Sequence, residues 1–133
     1  LRMTQADVQL TGHAIECRIN AEDPTQDFRP APGKLTIAHF PVYSDLRVDT
    51  HMEAGAMIPP FYDSMIAKVI ATASNRTACI NRMSRALGEY MITGIKTTIP
   101  FQQAIMQNSD FRRGAYHTGF VESLLLKGVP IVR

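Results

Sequence analysis

The spacing of the apolar residues changes once along this chain, at Asn75, and this change restricts the fold more than any other feature. Before Asn75, apolar and polar residues alternate, as around Cys17, which is typical of strands that bury one face. After Asn75, apolar residues recur at every fourth position, which predicts an amphipathic helix of about four turns with Asn75 as its N-cap. These residues are Cys79, Met83, Leu87 and Met91. Strands followed by helices predict an α+β domain, a small, mainly antiparallel sheet with helices packed on one side.

Turn residues divide the first half of the chain into four predicted strands. They are residues 12–20, 34–40, 46–50 and 64–72. The second of these should place Leu35 and Ile37 on one face, because side chains alternate along a strand. The last strand is apolar on nearly both faces, so we expect it to be covered on both sides. Its one polar residue, Lys68, is predicted to lie at a half-covered edge or to pair with a carboxylate.

Two further helices are predicted in the second half of the chain. Thr98 is the expected cap of the first of them, with Pro100 tolerated in its first turn and residues 108–110 at its end. The other should begin near Thr118 and end at the Lys127-Gly128 pair, a common C-terminal signal.

Length and composition limit the class of protein. The chain has 133 residues, which suffices for one domain with a core. The formal net charge is +2 and the basic residues are scattered, whereas a nucleic-acid surface shows a basic stripe with interleaved aromatics. No apolar run reaches the roughly 18 residues that a membrane span needs. Two cysteines, Cys17 and Cys79, without a CxxC motif fit a reducing compartment. We expect a cytoplasmic protein with neither a nucleic-acid nor a membrane partner.

The first predicted strand presents a row of polar side chains on one face. Alternation places Glu16, Arg18 and Asn20 together, roughly 6.5–7 Å apart along the strand. This row is either a solvated sheet face with a weak ion pair or a surface that addresses one small ligand. Arg18 is the best candidate for chemistry, because a guanidinium is permanently charged and holds an oxyanion through two parallel hydrogen bonds.

The rest of the chain shows no self-contained active site. The motifs GxSxG, HExxH, GxGxxG and the P-loop are absent from the sequence. The four histidines have no partner at metal-ligand spacing, so no metal site is predicted. Ser64 and Cys17 have no base nearby in the sequence. Glu22 and Asp23 are adjacent and diverge on an extended segment, which makes a poor acid–base pair.

Several ordered motifs resemble one known family. They are GHAIECRINAEDP at 12–24, PGK at 32–34, RVD at 47–49, PPFYDSMIAK at 59–68 and GIKTT at 94–98. On these motifs the chain, up to Leu126, resembles the C-terminal domain of biotin carboxylase. That enzyme is the ATP-dependent component of carboxylases for acetyl-CoA, propionyl-CoA, pyruvate and related substrates. The resemblance implies an α+β domain of the barrel-sandwich-hybrid type.

The resemblance also implies a reaction and roles for four residues. Biotin carboxylase is a ligase that activates bicarbonate with ATP as carboxyphosphate and transfers CO2 to N1′ of biotin on a carrier protein. By similarity, Arg18 is catalytic: it faces the ureido oxygen of biotin and stabilises the enolate formed when N1′ loses its proton. Glu16 would orient Arg18, and Asp63 would lie near the biotin site. Arg47 matches a position at the family's dimer interface.

The resemblance places this chain within a larger assembly. The chain begins at Leu1 and not at Met, so we expect residues 1–133 to be one domain of a longer protein. The ATP-grasp region, which would bind ATP and Mg²⁺, is not among these residues, so we expect the chain alone not to hydrolyse ATP. The implied partners are that region, a biotin carboxyl carrier protein or domain, a carboxyltransferase and a second copy. An acyl-CoA carboxylase of fatty acid biosynthesis is one such assembly, although the final acceptor is not encoded here.

Two other interpretations remain. The chain could be a non-catalytic module of the same fold that serves dimerisation or docking. The related C-terminal domain of ATP-grasp enzymes in purine synthesis is disfavoured by the block ECRINAED at 16–23. The carboxylase interpretation therefore depends on Arg18 and its neighbours.

Overall fold

Strands fill the first half of the molecule, and helices fill most of the second. The computed structural model of the chain describes residues 2–126. Its strands are β1 (His13–Asn20), β2 (Glu22–Asp23), β3 (Arg29–Pro30), β4 (Gly33–Lys34), β5 (Ile37–His39), β6 (Leu46–Thr50), β7 (Met57–Ile58), β8 (Met65–Ala73) and β9 (Met91–Thr93). Its helices are α1 (Arg76–Glu89), α2 (Ile99–Gln107), α3 (Ser109–Arg113) and α4 (Phe120–Leu126), and a 3₁₀ turn covers Gln5–Asp7.

The strands pair into one three-stranded sheet and three short ladders. The larger sheet has the order β1-β8-β6, and the ladders are β2-β3, β4-β7 and β5-β9. Every one of these pairings is antiparallel. The predicted α+β class with a mainly antiparallel sheet is therefore confirmed, whereas the barrel-sandwich-hybrid type stays a prediction.

One face of the three-stranded sheet forms the core. Cys17 and Ile19 of β1 lie opposite Val69 and Ala67 of β8, and all four are at most 2% exposed. Helix α1 packs against both strands and covers this face. Burial of these apolar side chains stabilises the domain at about 25 cal/mol per Å² removed from water. The other face of the sheet carries the polar row, and Glu16, Arg18 and Arg47 on it are exposed in the described part of the chain.

Helix α1 begins where the sequence predicts. The Asn75 side chain accepts a hydrogen bond from the Ala78 backbone N–H at 2.9 Å, which satisfies one of the unpaired donors of the first turn. The predicted apolar residues Cys79, Met83 and Leu87 are buried. The prediction that Met91 belongs to the apolar stripe of this helix was wrong. The helix ends at Glu89, and Met91 lies in β9 with 52% of its surface exposed.

The predicted strand at 34–40 is divided into two short strands, β4 and β5, because the backbone changes partners within it. Lys34 pairs with β7, whereas Ile37 pairs with β9. The change interrupts the alternation, so Leu35 is fully buried while Ile37 is 43% exposed. Gly94 permits this crossing, because a Cβ at that position would overlap the Lys34 carbonyl.

The later helices differ from the prediction in detail. Thr98 occupies the N-cap position of α2, but its hydroxyl makes no capping hydrogen bond. Helix α2 ends at Gln107, as predicted, and Asn108 then caps the short helix α3, which was not predicted. Helix α4 begins at Phe120. Its predicted end at 127–128 lies outside the described residues.

Candidate functional site

The polar row of β1 lies on the face of the three-stranded sheet opposite the core, as predicted. Glu16 and Arg18 are exposed, whereas Cys17 and Ile19 between and beside them are buried. The Arg18 Nε donates to the Glu16 carboxylate at 3.4 Å, and 70% of the Arg18 side chain is exposed. At that distance and exposure the ion pair contributes about 0–1 kcal/mol, so it orients Arg18 only weakly.

The backbone of Arg18 is held by helix α2. The Arg18 carbonyl accepts from the Gln102 side-chain amide at 3.3 Å and from the Thr98 hydroxyl at 3.4 Å. The Thr98 hydroxyl also accepts from the Asn20 N–H at 3.0 Å. These bonds form where the register between β1 and β8 shifts, between Ile19 and Asn20. The main chain of Arg18 is thus anchored, while its guanidinium points to solvent. The sequence did not predict that Thr98 and Gln102 bind the backbone of Arg18.

Arg47 lies on the opposite edge of the same face. Its Nε and one terminal nitrogen each donate to Asp49 at 2.8 Å, a two-bond contact along β6. The guanidinium holds the pKa of the Asp49 carboxyl below its usual range. Arg47 and Arg18 are not adjacent, because β8 lies between their strands.

Lys68 occupies the centre of the face, in β8. It is directly opposite Arg18 of β1 on one side and Asp49 of β6 on the other. The predicted place at a sheet edge was wrong, because β8 is the middle strand. The predicted pairing with a carboxylate was also wrong, since within residues 2–126 no carboxylate oxygen lies within 4.0 Å of the Lys68 nitrogen. Asp49, the nearest in register, is engaged by Arg47.

Asp63 belongs to a separate polar cavity beside the end of β1. Its carboxylate accepts from the Met65 N–H at 2.7 Å in the loop before β8. It lines a cavity of about 300 Å³ together with Asn20, Glu22 and Ser64. Glu22 accepts from Asn20 at 3.0 Å and from the Ser64 hydroxyl. Asn20 is the one residue shared with the polar row, and neither Arg18 nor Glu16 lines the cavity. Sequence reasoning did not find this network.

Within residues 2–126, the Cys17 thiol and the potential metal ligands do not form a further site. Burial raises the pKa of the Cys17 thiol to about 12, with Glu16 contributing, so the thiol is protonated at neutral pH. Among residues 2–126, no three His, Cys, Asp or Glu side chains are grouped as metal ligands. In the same part of the chain, no helix is long and apolar enough to cross a membrane.

Comparison with protein families identifies the domain. The family model described as the biotin carboxylase C-terminal domain matches residues 16–123. The chain is 57% identical over 122 residues to one of the pyruvate carboxylase subunits of Methanothermobacter thermautotrophicus, covering 92% of this chain and 25% of the relative. It is 52% identical over 124 residues to the biotin carboxylase of Nostoc sp., and the match covers 93% of this chain and 28% of the relative. The chain thus spans about a quarter of the length of these relatives.

Solved structures agree with this assignment. The biotin carboxylase domain of the 2-oxoglutarate carboxylase from Hydrogenobacter thermophilus matches with a TM-score of 0.92 and 42% identity, over 94% of this chain and 28% of that one. That structure is described as a domain dimer with MgADP, ADP and bicarbonate. The biotin carboxylase subunit of a pyruvate carboxylase matches with a TM-score of 0.92 and 41% identity, over 95% of this chain and 28% of that one. The resemblance noted in the sequence is confirmed, and the chain belongs to the biotin carboxylase C-terminal domain family.

Proposed function

We propose that this chain is the C-terminal part of a biotin carboxylase and supplies the arginine that faces biotin during its carboxylation. The observation that carries the proposal is the state of Arg18. Its backbone is anchored to α2, and 70% of its side chain is exposed. A positioned cation stabilises negative charge that develops on an oxygen, and it does so without exchanging a proton.

The residues present fit the ureido group of biotin. Within residues 2–126, Glu16 uses only the Nε of Arg18, which leaves both terminal nitrogens available for an oxygen acceptor. Biotin, when bound, supplies the nitrogen that accepts CO2. Glu16 would orient Arg18 through its contact with Nε, and only weakly at 3.4 Å. Asp63 lines a neighbouring cavity that shares Asn20 with the polar row, which supports a place at the border of the biotin site.

The remainder of the enzyme would lie outside this chain. The relatives are about four times longer than the matched region. We place the ATP-grasp region in that remainder, together with the binding of ATP and Mg²⁺, and the MgADP and bicarbonate in a relative's structure support this. The further partners are a biotin carrier protein or domain, a carboxyltransferase and a second copy of the protein. Arg47 would contribute to the interface between copies.

The test compares arginine variants in the full-length protein that contains this chain. We expect Arg18→Ala to lower carboxylation of biotin by about 10²- to 10³-fold, the usual effect of removing one donor that stabilises an oxyanion. Incorporation of labelled bicarbonate into biotin would be measured at saturating ATP. Arg18→Lys should restore only part of the carboxylation activity, because an ammonium lacks the planar fork of the guanidinium.

Arg85→Ala is the matched control. Arg85 and Arg18 are both 70% exposed and each pairs with a glutamate on its own element. The control should retain wild-type activity. Equal activity of Arg18→Ala and Arg85→Ala would favour a non-catalytic dimerisation or docking module and would refute the proposed function.

A further inference from the structure

Two adjacent glutamines of α2 bind main-chain carbonyls of two different elements. The Gln102 side-chain amide donates to the Arg18 carbonyl of β1 at 3.3 Å, and that of Gln103 donates to the Leu87 carbonyl of α1 at 3.1 Å. Successive residues lie about 100° apart around a helix, so neighbouring side chains reach different elements. Both glutamines are half-buried. One of them therefore connects α2 to the strand of the candidate site, and the other connects α2 to the neighbouring helix.

Helix α2 is a fixed support for these two contacts. Its apolar side is buried, with four side chains at most 9% exposed: Ile99, Phe101, Ile105 and Met106. The Phe101 ring packs edge-to-face against Phe28, with the ring centres 4.9 Å apart. A movement of α2 would expose this apolar surface to water, so the backbone of Gln102 is held relative to the core. A hydrogen bond from its side chain holds the bound carbonyl of β1 relative to the core as well.

The Arg18 carbonyl lies at an edge of the sheet where no neighbouring strand supplies a donor. Among residues 2–126, β1 pairs only with β8, so its other edge has no ladder partner. At this edge the Gln102 amide and the Thr98 hydroxyl donate to the Arg18 carbonyl. The register with β8 then shifts between Ile19 and Asn20, which interrupts the regular ladder one residue after Arg18. The side chains of the α2 region therefore help to set the main-chain position of Arg18.

The guanidinium of Arg18 depends on that main-chain position. Within residues 2–126, its one side-chain hydrogen bond is the 3.4 Å contact with Glu16, and 70% of the side chain is exposed. Such a contact holds a guanidinium only weakly. A displacement of about 1 Å in a reacting geometry can lower the rate by about 100-fold. A small movement of the Arg18 main chain is therefore expected to affect the rate of the reaction.

We propose that Gln102 is a positioning residue, whose amide holds the main chain of Arg18 so that the guanidinium reaches the oxygen on which charge develops. The inference rests on the proposed function of Arg18. In the described part of the chain the Gln102 side chain makes this one hydrogen bond, whereas the Thr98 hydroxyl also binds the Asn20 N–H. Because the charge on the ureido oxygen develops in the transition state, loss of the Gln102 contact lowers kcat and leaves the KM for biotin nearly unchanged.

The experiment measures carboxylation of biotin by the full-length protein, with biotin varied at saturating ATP and labelled bicarbonate. Gln102→Met keeps the length of the side chain but has no donor, and Gln102→Glu presents a carboxylate to the carbonyl. We expect both variants to lower kcat by about three- to tenfold, the effect of one hydrogen bond, with the KM for biotin within about twofold of the wild type. Gln102→Lys keeps a donor on a long side chain, so its kcat should return to within about twofold.

Gln103→Met is the matched control, because it removes the same kind of hydrogen bond one residue along the same helix. It should keep the kcat and KM of the wild type although it loses a similar amount of stability in thermal unfolding. An unchanged kcat in Gln102→Met would overturn the inference. So would an equal fall of kcat in Gln103→Met, a rise of the KM for biotin in place of the fall in kcat, or a Gln102→Lys variant as slow as Gln102→Met. If Gln102→Met does not fold, Gln102→Glu and Gln102→Lys give the same comparison of an acceptor with a donor.

Combination with Arg18→Ala tests whether Gln102 acts through Arg18. In the Arg18→Ala background, Gln102→Met should cause no further loss of kcat, and a further loss of about three- to tenfold would contradict the positioning role. The same series separates the two proposals. A slow Arg18→Ala with a normal kcat in Gln102→Met refutes the positioning role alone, whereas full activity in Arg18→Ala refutes the proposed function.

Discussion

Thr98 shows how a single hydroxyl positions the candidate site. It is only 5% exposed, and its oxygen accepts from the Asn20 N–H while donating to the Arg18 carbonyl. Its own N–H donates to the Asn20 carbonyl at 3.0 Å. These contacts join the first residue before α2 to the end of β1. Thr98 is therefore a positioning residue for Arg18 and does not act as the side-chain cap that the sequence predicted.

Replacement of Thr98 by valine tests this contact. Thr98→Val keeps the shape but leaves the Asn20 N–H and the Arg18 carbonyl without the hydroxyl, so we expect a loss of about 1–3 kcal/mol in the free energy of unfolding. Thr98→Ser should recover most of that loss. Equilibrium urea denaturation gives the value, and Thr77→Val, on the exposed side of α1, is the control. A similar loss in both valine variants would contradict a specific role of the hydroxyl.

At the scale of the elements, Arg76 connects the start of α1 to β1 and α3. One terminal nitrogen donates to the Phe111 carbonyl at 2.5 Å, and the other lies 3.3 Å from His13 Nε2. The guanidinium also sits over the rings of Phe111 and Tyr116, at 4.9 and 5.5 Å from their centres. Because a guanidinium can only donate, His13 Nε2 must be the acceptor. One side chain thus links three elements that are distant in sequence.

Removal of the Arg76 head group should loosen this junction. We expect Arg76→Leu to lower the free energy of unfolding by about 1–3 kcal/mol, since it removes a charge-assisted hydrogen bond and two cation–π contacts. Arg113→Ala should cost at most about 1 kcal/mol, because Arg113 is 68% exposed and pairs with Asp110 within the same short helix. Thermal or urea denaturation compares the two variants. Equal losses would show that Arg76 is an ordinary surface arginine.

At the scale of the whole molecule, one face of the three-stranded sheet gathers the charged residues of the candidate site. It carries the exposed guanidiniums of Arg18 and Arg47 at opposite edges, with Lys68 between them. In the proposed enzyme, the Arg18 edge meets the biotin site and the Arg47 edge meets a second copy. The two functions would then share one sheet, because β1 and β6 both pair with β8.

Charge reversal at Arg47 tests the proposed interface in the full-length protein. We expect Arg47→Glu to weaken dimerisation at least tenfold, since it breaks the contact with Asp49 and leaves two carboxylates side by side at the proposed interface. Sedimentation velocity over a concentration series measures the change. Arg85→Glu is the control, because Arg85 is 70% exposed and Arg47 is 72% exposed. An unchanged dimer in Arg47→Glu would exclude Arg47 from the interface.

Much of the fold was predictable because the deciding interactions are local. Alternation separates Cys17 and Ile19 from Glu16 and Arg18, and a strand turns successive side chains to opposite faces whatever its neighbours are. The Asn75 cap and the stripe of α1 follow from contacts within one or two turns. The division of residues 34–40 into two strands was not predictable, because the pairing partners, β7 and β9, lie far along the chain.

The sequence by itself determined the family, the α+β class and the candidate Arg18, because contiguous motifs and short-range periodicity carry that information. Only the tertiary structure decided what surrounds Arg18. The Asn20–Thr98 hydrogen bond joins residues 78 positions apart, and Lys68 faces Arg18 only through the order β1-β8-β6. Periodicity shows which face of a strand is buried, but it does not show which strand lies beside it. That choice of neighbours placed Lys68 directly opposite Arg18, with Asp49 on its other side.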